Sequence, residues 1–268
     1  MGKSERPEHT APPDIYYNAE EARKYTTNSR IMQIQETLTE RALELLALPQ
    51  DGVPKLLLDL GCGSGLSGES LTKQGHTWVG LDISEAMLDV AKEREVEGDL
   101  CLHDLGHGLP LRPGSFDGAI SISAVQWLCN ADQTDHEPRK RMRRLFESLY
   151  ACLVRGGRAV LQIYPENAQQ AEMLTSTAMK AGFSGGLVVD FPHSTRAKKY
   201  FLVLMVASRQ RGNKRRKTAN GNIQGSHRHP EGKGKDWVYK KKNQMRKKGY
   251  TNVPSDSKYT GRKRKDHW

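Results

Sequence analysis

Short apolar runs alternate along this 268-residue chain with stretches in which apolar residues recur three and four positions apart. The short runs predict buried strands, and the longer periodic stretches predict helices with one packed face. We expect strands near residues 56–60, 77–82, 100–103, 116–122, 156–164, 187–190 and 199–206. We expect helices near residues 65–74, 84–93, 138–154 and 167–181, with one or two more within residues 19–47.

Strands that alternate with helices predict an α/β fold. The sheet should be mostly parallel and seven-stranded, with helices on both faces. Only the residues from Phe191 to Lys198 separate the last two strands, which favours an antiparallel hairpin at one edge of the sheet.

The first predicted strand leads into a glycine-rich turn. Asp59 precedes Gly61, Gly63 and Gly65, which are spaced by two. Such a turn after a buried strand is typical of a nucleotide-type cofactor site, because a bare backbone lets a ligand approach closely. A dinucleotide site would need a glycine where Leu66 stands, and an acid beside the turn suits a ligand with a cationic amino-acid end and no phosphates. S-adenosylmethionine is such a ligand, and an ordinary glycine-rich turn is the alternative.

Three further strands end in polar side chains. Asp82 ends the second apolar run about twenty residues after the glycines, the separation at which an acid meets a ribose hydroxyl. Asp104 follows the third run, where a carboxylate could accept from an adenine amino group. The fourth run, which contains Ser121, should end facing the reacting methyl group. A single strand-ending acid is often only a cap, but three acids at these separations favour a cofactor site.

These motifs resemble those of class I S-adenosylmethionine-dependent methyltransferases, which have a Rossmann-like fold. That resemblance rests on Asp-Leu-Gly-Cys-Gly-Ser-Gly at 59–65, Gly-Leu-Asp-Ile-Ser at 80–84, and Asp104-Leu105. Four further segments make the resemblance more specific. They are Glu-Ala-Arg-Lys-Tyr-Thr-Thr-Asn-Ser-Arg at 21–30, Ser-Ile-Ser-Ala-Val-Gln-Trp-Leu-Cys-Asn at 121–130, Lys-Ala-Gly-Phe-Ser-Gly-Gly at 180–186, and Tyr-Thr-Gly-Arg-Lys-Arg-Lys at 259–265. Together they are similar to the eukaryotic 18S rRNA guanine-N7 methyltransferases of small-subunit ribosome biogenesis, over nearly the whole chain.

The resemblance implies a set of cofactor-binding residues and a site whose mouth is covered by the helices of residues 19–47. The expected residues are Arg30, Asp59, Gly61, Cys62, Gly63, Gly65, Asp82, Ile83, Met87, Asp104, Leu105 and Ser121. Asp59 should favour the ammonium group of the cofactor, directly or through water, and Asp82 should hold the ribose hydroxyls. Arg30 could pair with the cofactor carboxylate or form an ion pair on a helix surface.

Trp127 and Asn130 are candidates for positioning the guanine, although an indole in an apolar segment is more often part of a core. We assign no catalytic acid or base, because guanine N7 has a free lone pair and no proton to lose, so positioning dominates. A base could still lie among Asp117, His103 and His107. The Asn/Asp-Pro-Pro-Tyr/Phe motif of exocyclic-amine methylation is absent after the fourth strand, and so is a cysteine nucleophile for pyrimidine C5 methylation. These absences disfavour two chemistries without establishing N7.

Charge divides the chain into unequal parts. Residues 208–268 contain 20 Lys and Arg against 4 Asp and Glu, a net +16, whereas residues 1–207 carry a net −5. We therefore expect an extended N-terminal segment at 1–18, a methyltransferase domain at 19–207, and a basic, disordered tail at 208–268. Aromatic residues among the charges suit RNA stacking, and runs such as residues 214–217 suit nuclear import; the two readings are compatible.

The four cysteines are widely spaced, so the sequence predicts no metal site and is consistent with a reduced compartment. We also expect no membrane span and no signal peptide. The resemblance implies a nuclear or nucleolar location, with cytoplasm as a further possibility, and a small zinc-binding activator protein docked at a sheet edge near residues 100–102. Alternatives are methylation of a protein or small molecule, a dinucleotide oxidoreductase, and a ribosome-assembly factor in which catalysis is secondary.

Overall fold

The sheet lies in the first of two units, Met1–Arg211 and Gly212–Trp268. The computed structural model describes residues 6–131, 133–134, 136–194, 197–208 and 235–256. Within them, seven strands form one sheet: β1 (Leu56–Leu60), β2 (Thr77–Asp82), β3 (Asp99–Leu102), β4 (Phe116–Ile122), β5 (Leu153–Ile163), β6 (Ser184–Asp190) and β7 (Lys199–Met205). Their order is β3-β2-β1-β4-β5-β7-β6. β1 to β5 are parallel, and β7 is antiparallel to both β5 and β6, which confirms the predicted sheet and its edge hairpin.

Helices cover both faces of the sheet. In the described part of the first unit they are α1 (Pro13–Tyr16), α2 (Ala19–Thr27), α3 (Ser29–Leu46), α4 (Leu66–Lys73), α5 (Glu85–Glu93), α6 (Pro138–Cys152) and α7 (Ala168–Lys180). Side-chain oxygens of Asn18, Asn28, Ser84 and Asn167 accept from backbone N–H groups in the first turns of α2, α3, α5 and α7. These caps satisfy donors that a helix start leaves unpaired, and they explain where the four helices begin.

The core has two layers because successive strand residues face opposite sides of the sheet. Leu57 packs with residues of α3, α4 and α5, whereas Leu58 packs with residues of α6 and α7. Asp59 therefore points to the same side as Leu57, under the first turn of α4, where its carboxylate meets Ser67. This alternation determines which face of β1 receives the acid.

Two segments differ from the sequence expectation. The N-terminal segment was expected to be extended, but Pro7–His9 forms a 3-10 turn and Pro13–Tyr16 forms α1, since proline suits the first turn of a helix. In the second unit, Lys235–Lys247 forms helix α8, so disorder is the wrong expectation for that stretch of the basic tail. Residues 209–234 and 257–268 of the tail lie outside the described residues, and with them the basic runs at 214–217 and 262–265.

None of the helices in the described ranges combines the length and the hydropathy that crossing a membrane requires.

Candidate active site

A cavity opens at the carboxyl ends of β1, β2 and β4. The chain leaves β1 towards β2 on one side and reaches β4 on the other, so this is the switch point at which α/β sheets bind ligands. Eleven residues near these strand ends line the cavity: Gly61, Cys62, Gly63, Ser64, Leu66, Ser67, Asp82, Ile83, Ile122, Ser123 and Ala124. Ten more residues complete the wall: Pro13, Tyr17, Tyr25, Gln35, Met87, Asp104, Leu105, Trp127, Leu128 and Arg141. Eight of the twelve expected cofactor residues are therefore together at one site.

The glycine turn brings bare backbone to the cavity wall. Gly61 has φ +75°, a left-handed conformation that favours glycine, and its N–H donates to the carbonyl of Leu81 at 2.7 Å. A Cβ at this position would lie 2.2 Å from the Cβ of Ala124, in the segment that follows β4. Two strand ends thus approach each other more closely than any side chain on residue 61 would allow.

Asp59 lies behind the turn and is completely buried. One carboxylate oxygen accepts from the Ser67 hydroxyl at 2.6 Å, and the other has no hydrogen-bond partner among the described residues. Burial raises the pKa of Asp59 to about 7, with the Asp82 charge acting in the same direction and the Ser67 hydroxyl opposing it. Asp59 does not itself line the cavity, which favours an indirect action on a cofactor ammonium group.

S-adenosylmethionine fits the residues that are present. The Ser64 hydroxyl is buried at the cavity wall and has no partner among the described residues, so a donor is available there for a ligand carboxylate. The unpaired oxygen of Asp59 supplies an acceptor behind the same turn. An amino-acid end with both charges matches this pair of unused groups.

Asp82 orders the glycine turn as well as facing the cavity. One oxygen accepts from the Gly63 N–H at 2.8 Å, and the other accepts from the Ser84 N–H at 2.8 Å. Burial raises the pKa of Asp82, while these backbone donors oppose the shift. Ile83 and Met87 lie beside it on the cavity wall, as expected for residues that would contact an adenine.

Asp104 is held by an arginine that the sequence analysis missed. Both of its oxygens accept from Nη2 of Arg141, at 2.7 and 2.9 Å, and one also accepts from the Gly106 N–H at 2.8 Å. The pKa of Asp104 is lowered, because the Gly106 N–H and the Arg141 charge outweigh partial burial. Arg141 lies among the apolar residues of α6, and a buried arginine on an apolar helix face is a signal for a carboxylate partner.

An aromatic wall closes the cavity on the side of the N-terminal helices. The rings of Tyr17 and Tyr25 meet edge to face, with centroids 5.9 Å apart, and the Trp127 ring lies 6.0 Å from that of Tyr17. Burial raises the pKa of both phenols, so they stay protonated. Helices within residues 19–47 are predicted across the mouth, but no sequence pattern singles out these tyrosines.

Besides Asp59, three expected cofactor residues lie away from the cavity wall. Ser121 is buried and donates to the Leu60 carbonyl at 2.6 Å, whereas Ser123 and Ala124, which follow the same strand, line the cavity. Gly65 is the N-cap residue of α4 and does not line the cavity. Arg30 is exposed and lines a separate groove rather than this cavity.

The two guanine candidates differ in position. Trp127 lines the cavity in the 3-10 turn that follows β4, packed on Tyr16 and Tyr17. Asn130 lies outside the lining and donates to the Glu8 carbonyl at 3.4 Å. Trp127 is thus both part of a packed aromatic group and accessible to a ligand.

Comparison with known proteins identifies the family. The chain is 54% identical to the 18S rRNA (guanine-N(7))-methyltransferase RID2 of Arabidopsis thaliana, over 98% of this chain and 99% of that protein. It is 52% identical to the 18S rRNA (guanine-N(7))-methyltransferase of Mus musculus, over 98% of each chain. The chain belongs to the 18S rRNA (guanine-N7)-methyltransferase family. Two family profiles also match: "Methyltransferase domain" at residues 58–161, and "Methyltransferase involved in Williams-Beuren syndrome" at residues 195–266.

A solved structure supports the fold of this guanine-N7 methyltransferase family member. The magnesium protoporphyrin IX methyltransferase of Synechocystis PCC 6803, solved with bound SAM, superimposes with a TM-score of 0.54 at 18% identity. The match covers 77% of this chain and all of that one. Together with the family assignment and the methyltransferase-domain profile, this fold identifies the chain as an enzyme, a class I methyltransferase that uses S-adenosylmethionine.

Proposed function

We propose that this enzyme transfers a methyl group from S-adenosylmethionine to N7 of a guanosine in 18S rRNA during maturation of the small ribosomal subunit. The observation that carries this proposal is identity of about half over nearly the full length of relatives with that name. The matches span 98% of this chain and therefore include both the glycine turn and most of the basic C-terminal part, which supports a shared cofactor and a shared substrate.

Bound S-adenosylmethionine supplies a methyl group on a sulfonium, whose leaving group is a neutral thioether. The residues of the chain have to align guanine N7 with that methyl and exclude water, and the barrier falls mainly through positioning. Tyr17, Tyr25 and Trp127 supply an apolar wall for this purpose.

A general base is not required at N7, and each of the three candidates for one already contacts another group of the protein. The Asp117 carboxylate accepts from the Leu56 N–H at 2.9 Å, at the end of β1 opposite the cavity. Nε2 of His103 lies 2.5 Å from the Gly108 carbonyl, and Nδ1 of His107 lies 3.8 Å from Asp104. Acid–base catalysis by these groups is therefore not part of the proposed mechanism.

The decisive experiment supplies tritiated S-adenosylmethionine and immature small-subunit particles, and maps the label by nucleoside analysis. We expect 7-methylguanosine at a single 18S rRNA position. Asp82→Ala should weaken cofactor binding by about 10- to 100-fold, since it removes charge-assisted bonds worth roughly 1.5–3 kcal/mol. Asp89→Ala, on the exposed face of α5, serves as the control and should label normally. Label in protein, or binding without transfer, would contradict the proposal and favour a protein substrate or an assembly role.

We further propose that a small zinc-binding activator protein docks at β3. Among the described strands β3 pairs with β2 alone, so it is the outer strand on that side of the sheet. Leu102 is 56% exposed there, and an unpaired edge with an exposed apolar side chain suits pairing with a strand of another protein.

Leu102→Asp should reduce co-purification with the activator at least about 10-fold, because it puts a charge where a leucine would be buried. The melting temperature of the chain alone should change little. Val53→Asp is a matched control, since Val53 is 55% exposed and precedes β1, an inner strand of the sheet. Equal retention of the activator by both variants would rule out docking at β3.

The basic tail is proposed to bind RNA and to direct the enzyme to the nucleus or nucleolus. Its net charge of +16 is opposite to that of the RNA backbone. Within its described part, Lys242 and Arg246 of α8 form ion pairs with Asp256.

A further inference from the structure

The N-terminal segment, residues 6–16, crosses the carboxyl ends of β4 and β5. Nη2 of Arg6 donates to the carbonyl of Tyr164, which directly follows β5, at 2.5 Å. Asn130, after β4, donates to the Glu8 carbonyl at 3.4 Å, and the Tyr16 ring packs on Trp127 at 6.0 Å. The segment therefore holds the Glu8 side chain next to Gln126, in the turn that follows β4.

The side chain of Glu8 is buried, but the hydrogen bonds that it accepts are long. Its side chain is 7% exposed, yet Nε and Nη2 of Arg6 donate to it only at 3.3–3.4 Å, and Nε2 of Gln126 only at 3.3 Å. A carboxylate normally accepts charge-assisted bonds at 2.7–2.9 Å. The buried carboxylate oxygens of Glu8 can therefore accept further, shorter hydrogen bonds.

Gln126 carries a second unused acceptor. Gln126 is 4% exposed. Its Nε2 donates to the Ser123 carbonyl at 2.8 Å, and this bond orients the side-chain amide. Its Oε1 has no hydrogen-bond partner among the described residues. Ser123 itself lines the cavity with φ +57°, so the turn that places Ser123 in the cavity wall also carries Gln126. A buried, unpaired acceptor beside a ligand site indicates a donor that arrives with the ligand.

We infer that Glu8 and Gln126 bind the Watson–Crick edge of the target guanine, with their oxygens accepting from its N1–H and N2–H groups. This inference rests on the proposed function and names the groups that select the base. Guanine alone among the four bases presents two adjacent donor groups on that edge. Adenine presents an acceptor at N1, and the pyrimidines present at most one donor next to acceptors. A pair of acceptors therefore selects guanine, and burial increases the selectivity, because an unsuitable base leaves the acceptors unpaired.

The arrangement is also consistent with methylation at N7. The N1–N2 edge and N7 lie on opposite sides of the purine, so a base held at its N1–N2 edge by the N-terminal segment presents N7 towards the glycine turn. Enzymes that modify a base outside its helix commonly read the same edge. Arg6 balances the Glu8 charge in the ligand-free protein without donating at short distance.

Inosine tests this inference because it keeps N7 and N1–H but lacks the N2 amino group. Particles are assembled with guanosine or with inosine at the nucleotide mapped above, and initial rates of methyl transfer are measured at several particle concentrations. We expect wild-type kcat/KM to be at least about 10-fold higher for guanosine, the usual effect of losing one hydrogen bond to a charged group. Equal rates on the two particles would overturn the inference but not the proposed function, whereas no transfer to guanosine would overturn both.

Glu8→Gln is the matching protein variant, since it keeps the side-chain shape. We expect the guanosine-to-inosine ratio to fall to within about threefold, with the loss on guanosine mainly in KM and with cofactor affinity unchanged. Glu166→Gln is the control, because Glu166 contacts the same segment through His9 at 3.5 Å but is exposed. A purely structural role of Glu8 would lower both rates together and leave the ratio at its wild-type value, and that result would overturn the inference.

Discussion

Gly61→Ala should abolish measurable binding of S-adenosylmethionine. The new methyl group would lie 2.2 Å from the Cβ of Ala124, so the turn after β1 and the segment after β4 must separate. The residue must also hold φ +75°, which costs a side chain about 1–2 kcal/mol. Both effects fall on the backbone that approaches the cofactor. Calorimetric titration should therefore detect no binding, and the melting temperature should fall by several degrees.

Gly75→Ala is the matched control for the contact. Gly75 has φ +78°, but a Cβ there would meet no atom within 4 Å. It should show the conformational cost, a modest loss of stability, without a loss of cofactor affinity. If Gly61→Ala binds the cofactor as Gly75→Ala does, close approach of the two strand ends is not what the site requires. Adding Ala124→Gly to Gly61→Ala should restore part of the binding.

The affinity for S-adenosylmethionine should increase as the pH rises from about 5.5 to 7.5. In the ligand-free protein the pKa of Asp59 is about 7, so much of the carboxyl is protonated at the lower pH. A cationic ammonium favours the ionised form, so binding should release a proton in this range. An amino group with a pKa of about 7.7–8.0 keeps its charge across most of the window. Titrations in buffers of different ionisation enthalpy should measure proton release that disappears in Asp59→Asn.

Ionisation of Asp59 with rising pH should strengthen cofactor binding but lower the stability of the ligand-free protein. Because the folded-state pKa of Asp59 is raised above its usual 3.8, the folded chain binds more protons than the unfolded chain between about pH 4 and 7. The free energy of unfolding should therefore fall as the pH rises through that window, by up to about 4 kcal/mol from this group. The contribution is fully present below pH 3.8.

Asp59→Asn should lose this part of the pH dependence while keeping a side chain of the same shape under α4. Asp89→Asn, an exposed carboxylate on α5, is the control and should follow the wild type. Denaturant unfolding at pH 5 and pH 8 gives the comparison. A wild-type difference no larger than that of Asp59→Asn would mean that Asp59 does not titrate in this range.

The elements around the cofactor site could be predicted because their signals are local. β1 and β2 are continuous apolar runs, the turn at Gly61 needs a glycine conformation, and Ser84 caps the helix that follows β2. Asp82 faces the cavity as expected, since the carboxyl ends of parallel strands share one edge. Ser121 shows the limit of this reasoning, because the strand runs one residue beyond it and its hydroxyl turns into the sheet.

The chain's own sequence thus determined the order of strands and helices, the glycine turn, the acids at the strand ends, and the uneven division of charge, because each depends on a few neighbouring residues. Only the tertiary structure decided that Arg141 clamps Asp104, that Tyr17 and Tyr25 wall the cavity, and that Glu8 meets Gln126. Glu8 and Gln126 are 118 positions apart, and no periodicity or spacing encodes such a meeting. It arises when the packed core brings distant segments to one sheet edge, where buried polar groups must find partners.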